Sequence, residues 1–189
     1  MLIFSVFLLK EDGNLLPGQT PSSKMCKVLS IMEKKATTSC GCAVIRYVKD
    51  VPHVLLVRPF AQHDAWGIPK GHVNDNETVV DCAIRETLEE AGIEAVLIEP
   101  LNPVSTTYKT ERKTVRAFIA IQANPNIEPY AADGENVDIR YFPIDELPNI
   151  HVYQRPLLAE VKQKIIDLGK DRFATYSYEA CNDNTDSDT

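Results

Sequence analysis

Three glutamates, Glu86, Glu89 and Glu90, stand at i, i+3 and i+4 in the run Gly71-His-Val-Asn-Asp-Asn-Glu77-Thr-Val-Val-Asp-Cys-Ala-Ile-Arg85-Glu86-Thr-Leu-Glu89-Glu90-Ala-Gly92-Ile93. On a helix this spacing gathers the three carboxylates on one face. Like charges crowded together repel and lower helix stability, so a chain tolerates the cluster most readily when a cation neutralises it. Hard oxygen ligands point to Mg²⁺ or Mn²⁺ rather than zinc. The alternative is a solvated acidic face, which is common. What separates this face from that reading is its company: a glycine, a glutamate, an arginine and a second glycine at set distances.

The sequence predicts a helix here. Asn74-Asp-Asn76 is a turn-former cluster that offers N-cap side chains, and Gly92 suits the C′ position. Val80, Ala83, Ile84, Thr87 and Ala91 form an apolar stripe at helical spacing, on a different arc from the glutamates. Arg85 borders the acidic arc. It can pair with Glu77 or hold Glu86 through a bidentate contact.

Gly71, Glu77, Arg85, Glu86, Glu89, Glu90, Gly92 and Ile93 match the Nudix box, G-x5-E-x7-R-E-U-x-E-E-x-G-U, where U is a bulky apolar residue. On these residues the chain resembles the Nudix hydrolases over roughly residues 38–170. Thr87 departs from the pattern at the first U position; its methyl can still pack, and the chemistry is untouched. The resemblance implies an α/β Nudix fold, a mixed β-sheet sandwiched between helices. It also implies hydrolysis of a nucleoside diphosphate linked to another group X. Glu86, Glu89 and Glu90, with the Gly71 carbonyl, would hold Mg²⁺ or Mn²⁺. One carboxylate must take the proton from water. Nudix hydrolases differ in which one; Glu89 and Glu135 are the candidates here, with Glu86 and Arg85 completing the catalytic set. Without metal the box carboxylates should raise one another's pKa values, which favours activity at neutral to alkaline pH.

Flanking segments point to a branch. Trp66-Gly-Ile-Pro-Lys70-Gly71-His72 is similar to the W-x-x-P-K-G-H entry of diadenosine tetraphosphate hydrolases and their diphosphoinositol-polyphosphate relatives. There Lys70 would meet a substrate phosphate; otherwise it is a solvated loop lysine. His72 either bonds a phosphate or caps the local backbone. Glu135-Asn-Val-Asp-Ile-Arg140-Tyr141 is similar to the E-x5-aromatic segment of the same branch, whose glutamate is a further metal ligand or a general base. The other reading is an exposed glutamate after the Asp133-Gly134 turn. Tyr108-Lys-Thr-Glu-Arg-Lys113 also resembles that branch. Tyr108 would stack on adenine, and Lys109, Arg112 and Lys113 would meet distal phosphates. A basic loop that solvates a hairpin explains the same residues. Tyr130 is a second stacking candidate.

A chain of 189 residues fits one domain with tails: a loose leader at 1–38, the Nudix domain at 39–170 and an acidic disordered tail at 171–189. Met25 and Met32 are alternative starts. The net charge of −7 argues against a strong nucleic-acid surface, so polyphosphate binding needs local basic groups or metal. The five cysteines fit no zinc or thioredoxin spacing, and a reduced, cytoplasmic setting is expected. The apolar stretch at 1–10 is too short to span a bilayer and has no basic flank, so no membrane partner is expected.

Strands are predicted at 40–48 and 53–60 around a Lys49-Asp50 turn, then at 94–101, 113–123 and 137–142. A short helix is predicted to start at Pro143–Leu147. A last helix at 155–170 has Pro156 in its first turn and Leu157, Leu158, Val161, Ile165 and Leu168 as its stripe. The expected function is Mg²⁺-dependent hydrolysis of a small-molecule nucleotide, a dinucleoside polyphosphate such as diadenosine tetraphosphate. The alternatives are ADP-ribose, RNA 5′ ends and diphosphoinositol polyphosphates. A non-catalytic Nudix-fold nucleotide-binding regulator is the other class; such modules typically lose box carboxylates, and this chain keeps them all. The sequence does not specify an oligomeric state.

Overall fold

Alternation along the two longest strands sets the architecture. In β1 (Ala36–Val48), Cys40, Cys42 and Val44 face one side, and Ala43 and Ile45 face the other. In β6 (Glu111–Gln122), Phe118 and Ala120 join the first set, while Val115, Ala117, Ile119 and Ile121 join the second. Each side is apolar, so each needs a cover. Helix α1 (Val79–Ala91) covers the first face and α2 (Arg155–Leu168) the second. The result is the expected mixed sheet between helices. A computed structural model describes residues 36–60, 64–108, 111–131 and 134–174. Most of the predicted leader and tail lies outside the described residues.

β1 and β6 run parallel at the centre. The C-terminal half of β1 pairs with β2 (Val51–Pro59), which pairs with β7 (Asn136–Pro143). The C-terminal half of β6 pairs with β4 (Ala95–Pro100). The N-terminal halves take other partners. There β1 pairs with β3 (Lys70–His72) and β6 with β5 (Val104–Tyr108). The sheet is therefore forked: β2 and β3 share β1 at different heights. Residues 66–68 cross the fork, with Gly67 and Val57 exchanging two backbone bonds of 2.8 and 3.0 Å.

The box helix starts later than expected. Thr78, not the Asn74–Asn76 cluster, is its N-cap, and its side chain accepts from the Asp81 N–H at 3.1 Å. Asn76 instead takes a φ of 65° in the preceding turn. Gly92 ends the helix at φ 68°, as expected. Its buried side chains are Cys82, Ala83, Thr87 and Ala91, all small, so the helix can lie close on Cys40 and Cys42. Val80, predicted in the apolar stripe, is exposed, and Cys82 is buried in the core. Thr87 is buried, and its Oγ1 donates to the Ala83 carbonyl at 2.7 Å.

Three other segments differ from expectation. β5 was not anticipated; it pairs along β6 from Val104 to Tyr108. Pro143–Leu147 is a turn, closed by the Glu146 N–H on the Pro143 carbonyl at 2.9 Å, and not a helix. The ordered chain also continues past 170: Phe173 is buried and its ring centroid lies 5.7 Å from that of Tyr47. The α2 stripe of Leu157, Leu158, Val161 and Ile165 is buried as predicted. Among the described residues no helix is long and apolar enough to cross a membrane.

The β1–β2 connection closes in two residues, and both have positive φ, 48° at Lys49 and 69° at Asp50. Asn-Gly suits such a turn far better. Replacing Lys49-Asp50 by Asn-Gly should raise unfolding stability by about 1 kcal/mol, read as a higher urea midpoint at unchanged slope.

Candidate active site

Arg85 organises the carboxylates. Its Nε and Nη2 donate to the two oxygens of Glu77 at 2.6 and 2.8 Å, a bidentate pair. Nη1 donates to Glu86 at 2.8 Å and to Glu89 at 2.7 Å, and Nη2 also reaches the His72 carbonyl at 3.1 Å. One guanidinium thus ties the loop before the helix to the acidic face of the helix. The sequence allowed either pairing with Glu77 or bracing of Glu86; the structure has both.

The same contacts set the ionisation of the group. The Arg85 hydrogen bond, helped by the Asn74 N–H, lowers the Glu77 carboxyl from 4.5 to about 2. Burial pushes Glu86 the other way, above the usual carboxylate range, against the pull of Arg85. Repulsion from Glu89 and Glu77 adds to this, but burial leads. The expected mutual repulsion of the box carboxylates is the lesser cause at Glu86.

β3 supplies the other wall. The Glu86 carboxylate lies on Gly71 so closely that a Cβ there would overlap it. Glu90 Oε2 accepts from the Lys70 N–H at 2.9 Å. Helix and strand therefore meet through carboxylates on backbone, and Gly71 is required by that close approach. Cys82 Sγ lies 3.7 Å from the Gly71 carbonyl.

Among the described residues, no three His, Cys, Asp or Glu side chains form a ready-made metal cage. Arg85 holds Glu86 and Glu89, and the Lys70 N–H holds Glu90. The donor set still fits a hard divalent cation: carboxylate oxygens and a backbone carbonyl, meeting at a glycine that leaves no side chain in the way. A cation at this edge competes with Arg85 for the same oxygens.

The remaining predicted residues divide by strand register. Gly71 is opposite Cys40, on the α1 face. Lys70 and His72, opposite Gly41 and Ser39, are on the α2 face by alternation. Lys70 electrostatics accordingly reach His151, whose imidazole pKa is lowered by burial and by that lysine. On β6, Arg112 has the parity of Phe118 and faces the α1 side, while Lys113 has the parity of Val115 and faces the α2 side. The two cations predicted to act together lie on opposite faces. Lys109 and the Tyr108 side chain lie outside the described residues. Tyr130 packs on Gly92 at the end of α1 and is exposed. Glu135 directly precedes β7. Its carbonyl accepts from the Phe60 N–H at 2.9 Å, which places it at the β2 end of the fork, and it is exposed.

Sequence reasoning missed the residues that fill the fork. Gln154 is buried, and the Ile68 N–H donates to its Oε1 at 2.9 Å. His151 and Tyr153 stack beside it, ring centroids 5.4 Å apart. A polar residue at the start of a helix carries no signal that its side chain will turn inward.

A family model described as NUDIX domain matches residues 39–167. The chain belongs to the Nudix family, whose hydrolases generally use divalent metals. It is 33% identical over 102 residues to a nucleoside triphosphate pyrophosphatase/Nudix hydrolase fusion protein of Bifidobacterium longum, covering 54% of this chain and 20% of that protein. It is 32% identical over 102 residues to the m7GpppN-mRNA hydrolase dcap-2 of Caenorhabditis elegans, covering 52% of this chain and 13% of that protein. The match is thus a small part of either relative. A solved Ap4A hydrolase binary complex from C. elegans has the same fold, with a TM-score of 0.62 at 21% identity, covering 69% of this chain and 98% of that one.

A carboxyl lowered in the fold stabilises the protein above its unfolded pKa, and that stability is lost as pH falls through the folded value. For Glu77 the window runs from 4.5 down to about 2. Glu77→Gln should therefore lower the melting temperature most near neutral pH, and the gap to wild type should close as pH approaches 2.

Proposed function

We propose that the protein hydrolyses a phosphoanhydride bond in a nucleoside diphosphate linked to another group, using Mg²⁺ or Mn²⁺. A dinucleoside polyphosphate such as diadenosine tetraphosphate is the proposed substrate. The observation that carries this reading is the gathering of the box carboxylates on β3: Arg85 holds Glu86 and Glu89, Glu86 lies on Gly71, and the Lys70 N–H holds Glu90. The Trp66–His72 segment, with its lysine entering the box, and the shared fold of the Ap4A hydrolase support the substrate class.

Glu86 and Glu90, with the Gly71 carbonyl and Glu89, are the proposed metal ligands. When bound, the cation neutralises phosphate charge and makes water a better nucleophile at neutral pH. The chain's own groups do the rest. Glu89 is half exposed at the cluster and can take the proton from an attacking water. Glu135, across the fork, is the second candidate for that step. Arg85 orients Glu86 and Glu89 and offsets their repulsion while no cation is present. Lys70, on the α2 side of β3, would meet a phosphate that extends from the β3 edge. Arg112 and Arg116 are both cations of β6 on the face of α1, and Arg112 is the one the sequence assigned to substrate phosphates; Lys113 is assigned no part in the chemistry.

The test is turnover of a panel with Mg²⁺: diadenosine tetraphosphate, ADP-ribose, a diphosphoinositol polyphosphate, a 5′-triphosphorylated RNA and a capped RNA. Wild type should favour the dinucleoside polyphosphate. Glu86→Gln should lower kcat by roughly a hundredfold or more. Whichever of Glu89→Gln and Glu135→Gln removes the acidic limb of the pH–rate profile identifies the base. Nucleotide binding with no turnover of any panel member sinks the catalytic reading in favour of a binding module.

A further inference from the structure

Gln154 turns its side chain away from its own helix. It is the N-cap of α2, where a polar side chain ordinarily accepts from the first turn, and it makes no such bond. The residue is 1% exposed, and its Oε1 accepts instead from the Ile68 N–H at 2.9 Å. Nε2 has no hydrogen-bond partner among the described residues. Only the oxygen of the amide is engaged, so Ile68 is what this side chain holds.

Both ends of that bond are fixed. On one side, Leu157 and Leu158 anchor the start of α2 in the core. On the other, Ile68 is itself buried, and Gly67 exchanges two backbone bonds with Val57. Gly67 also makes room for the amide, since a Cβ there would stand 2.6 Å from Nε2. From Ile68 the chain passes through Pro69 to Lys70. Proline locks its own φ and restricts the residue before it, so this step has little slack. Fixing the Ile68 N–H therefore constrains the direction of the Lys70 N–H, which holds Glu90 Oε2 at 2.9 Å. Gln154 and Glu90 also border the same small space in the fork, about 20 Å³. A carboxylate at position 154 would face Glu90 there and repel it, so the position calls for a neutral acceptor.

We propose that Gln154 is a positioning residue for the metal edge: through Ile68, Pro69 and the Lys70 N–H it aims the Glu90 carboxylate, and so raises the affinity of the site for a divalent cation. The inference rests on the assignment of Glu90 as a metal ligand in the function proposed above. Groups that orient metal ligands from outside are worth roughly ten- to a hundredfold in metal affinity. The N-terminus of α2, on one side of the sheet, would thus set the aim of a carboxylate carried by α1, on the other.

Mn²⁺ binding to the full chain, read from the paramagnetic resonance signal of the free ion, tests this without turnover. Gln154→Met removes the acceptor at similar volume and should weaken Mn²⁺ binding about tenfold. Gly67→Ala, which pushes the amide aside without changing it, should do the same, and it decides alone if Gln154→Met does not fold. Ile165→Val removes buried volume from α2 and controls for stability; it should bind Mn²⁺ as wild type does. Glu90→Ala tests the route: once Glu90 is gone, Gln154→Met should weaken Mn²⁺ by less than about twofold more. Wild-type affinity in the Gln154 and Gly67 variants overturns the proposal. So does a full tenfold loss on top of Glu90→Ala, or an equal loss in Ile165→Val, since either marks Gln154 as support for the fold at large. Turnover of the substrate panel is measured in parallel. Mn²⁺ binding that depends on Gln154, with no turnover, keeps this inference and removes the catalytic reading; no Mn²⁺ binding by wild type removes the metal assignment and this inference with it.

Discussion

The arrangement of the site depends on one guanidinium holding three carboxylates. Glu77 in the loop and Glu86 and Glu89 on the helix repel one another, and Arg85 answers all three with hydrogen bonds of 2.6–2.8 Å. The planar fork of arginine is what allows this. A lysine offers a point charge and could not hold Glu77 bidentately while reaching two more partners. The bond from Arg85 to the His72 carbonyl adds the end of β3 to the same assembly. The loop, the helix and the edge strand are therefore positioned together, and each carboxylate is oriented before any ligand arrives.

The forked sheet gives that assembly somewhere to act. β3 is only three residues long, and its backbone at Lys70 and Gly71 carries the helix carboxylates directly. Small side chains make the approach possible: Cys40 and Cys42 below, Cys82, Ala83 and Thr87 above. Larger residues here would lift the helix and break the contact between Glu86 and Gly71. On the opposite side of the sheet, the larger aliphatic core under α2 fixes β6 and β1, and both branches of the fork depart from β1.

How much of this the sequence disclosed depends on the range of the interaction. The box helix, its glycine terminus and the α2 stripe were legible because each is a local periodic pattern. The N-cap was misplaced because Asn74–Asn76 and Thr78 are both good formers of turns and caps, and only the path of the chain out of β3 decides between them. β5 was missed because Val-Ser-Thr-Thr-Tyr is a weak strand pattern that is ordered by its partner, β6. The basic cluster was read as one unit, but alternation separates Arg112 from Lys113, and sequence proximity hides that. The pairing of Gln154 with Ile68 joins residues 86 apart and leaves no local trace.

The three described cysteines lie in the interface between α1 and the sheet, all fully buried. Burial holds the Cys42 and Cys82 thiols up to about 12 and raises Cys40 as well, so they pack as small apolar groups and react poorly as nucleophiles. Their silence lasts only while the helix stays down. An alkylating reagent that reaches them must wait for α1 to lift, so the rate at which these thiols are modified is a clock for the opening of that helix, read without touching a single carboxylate.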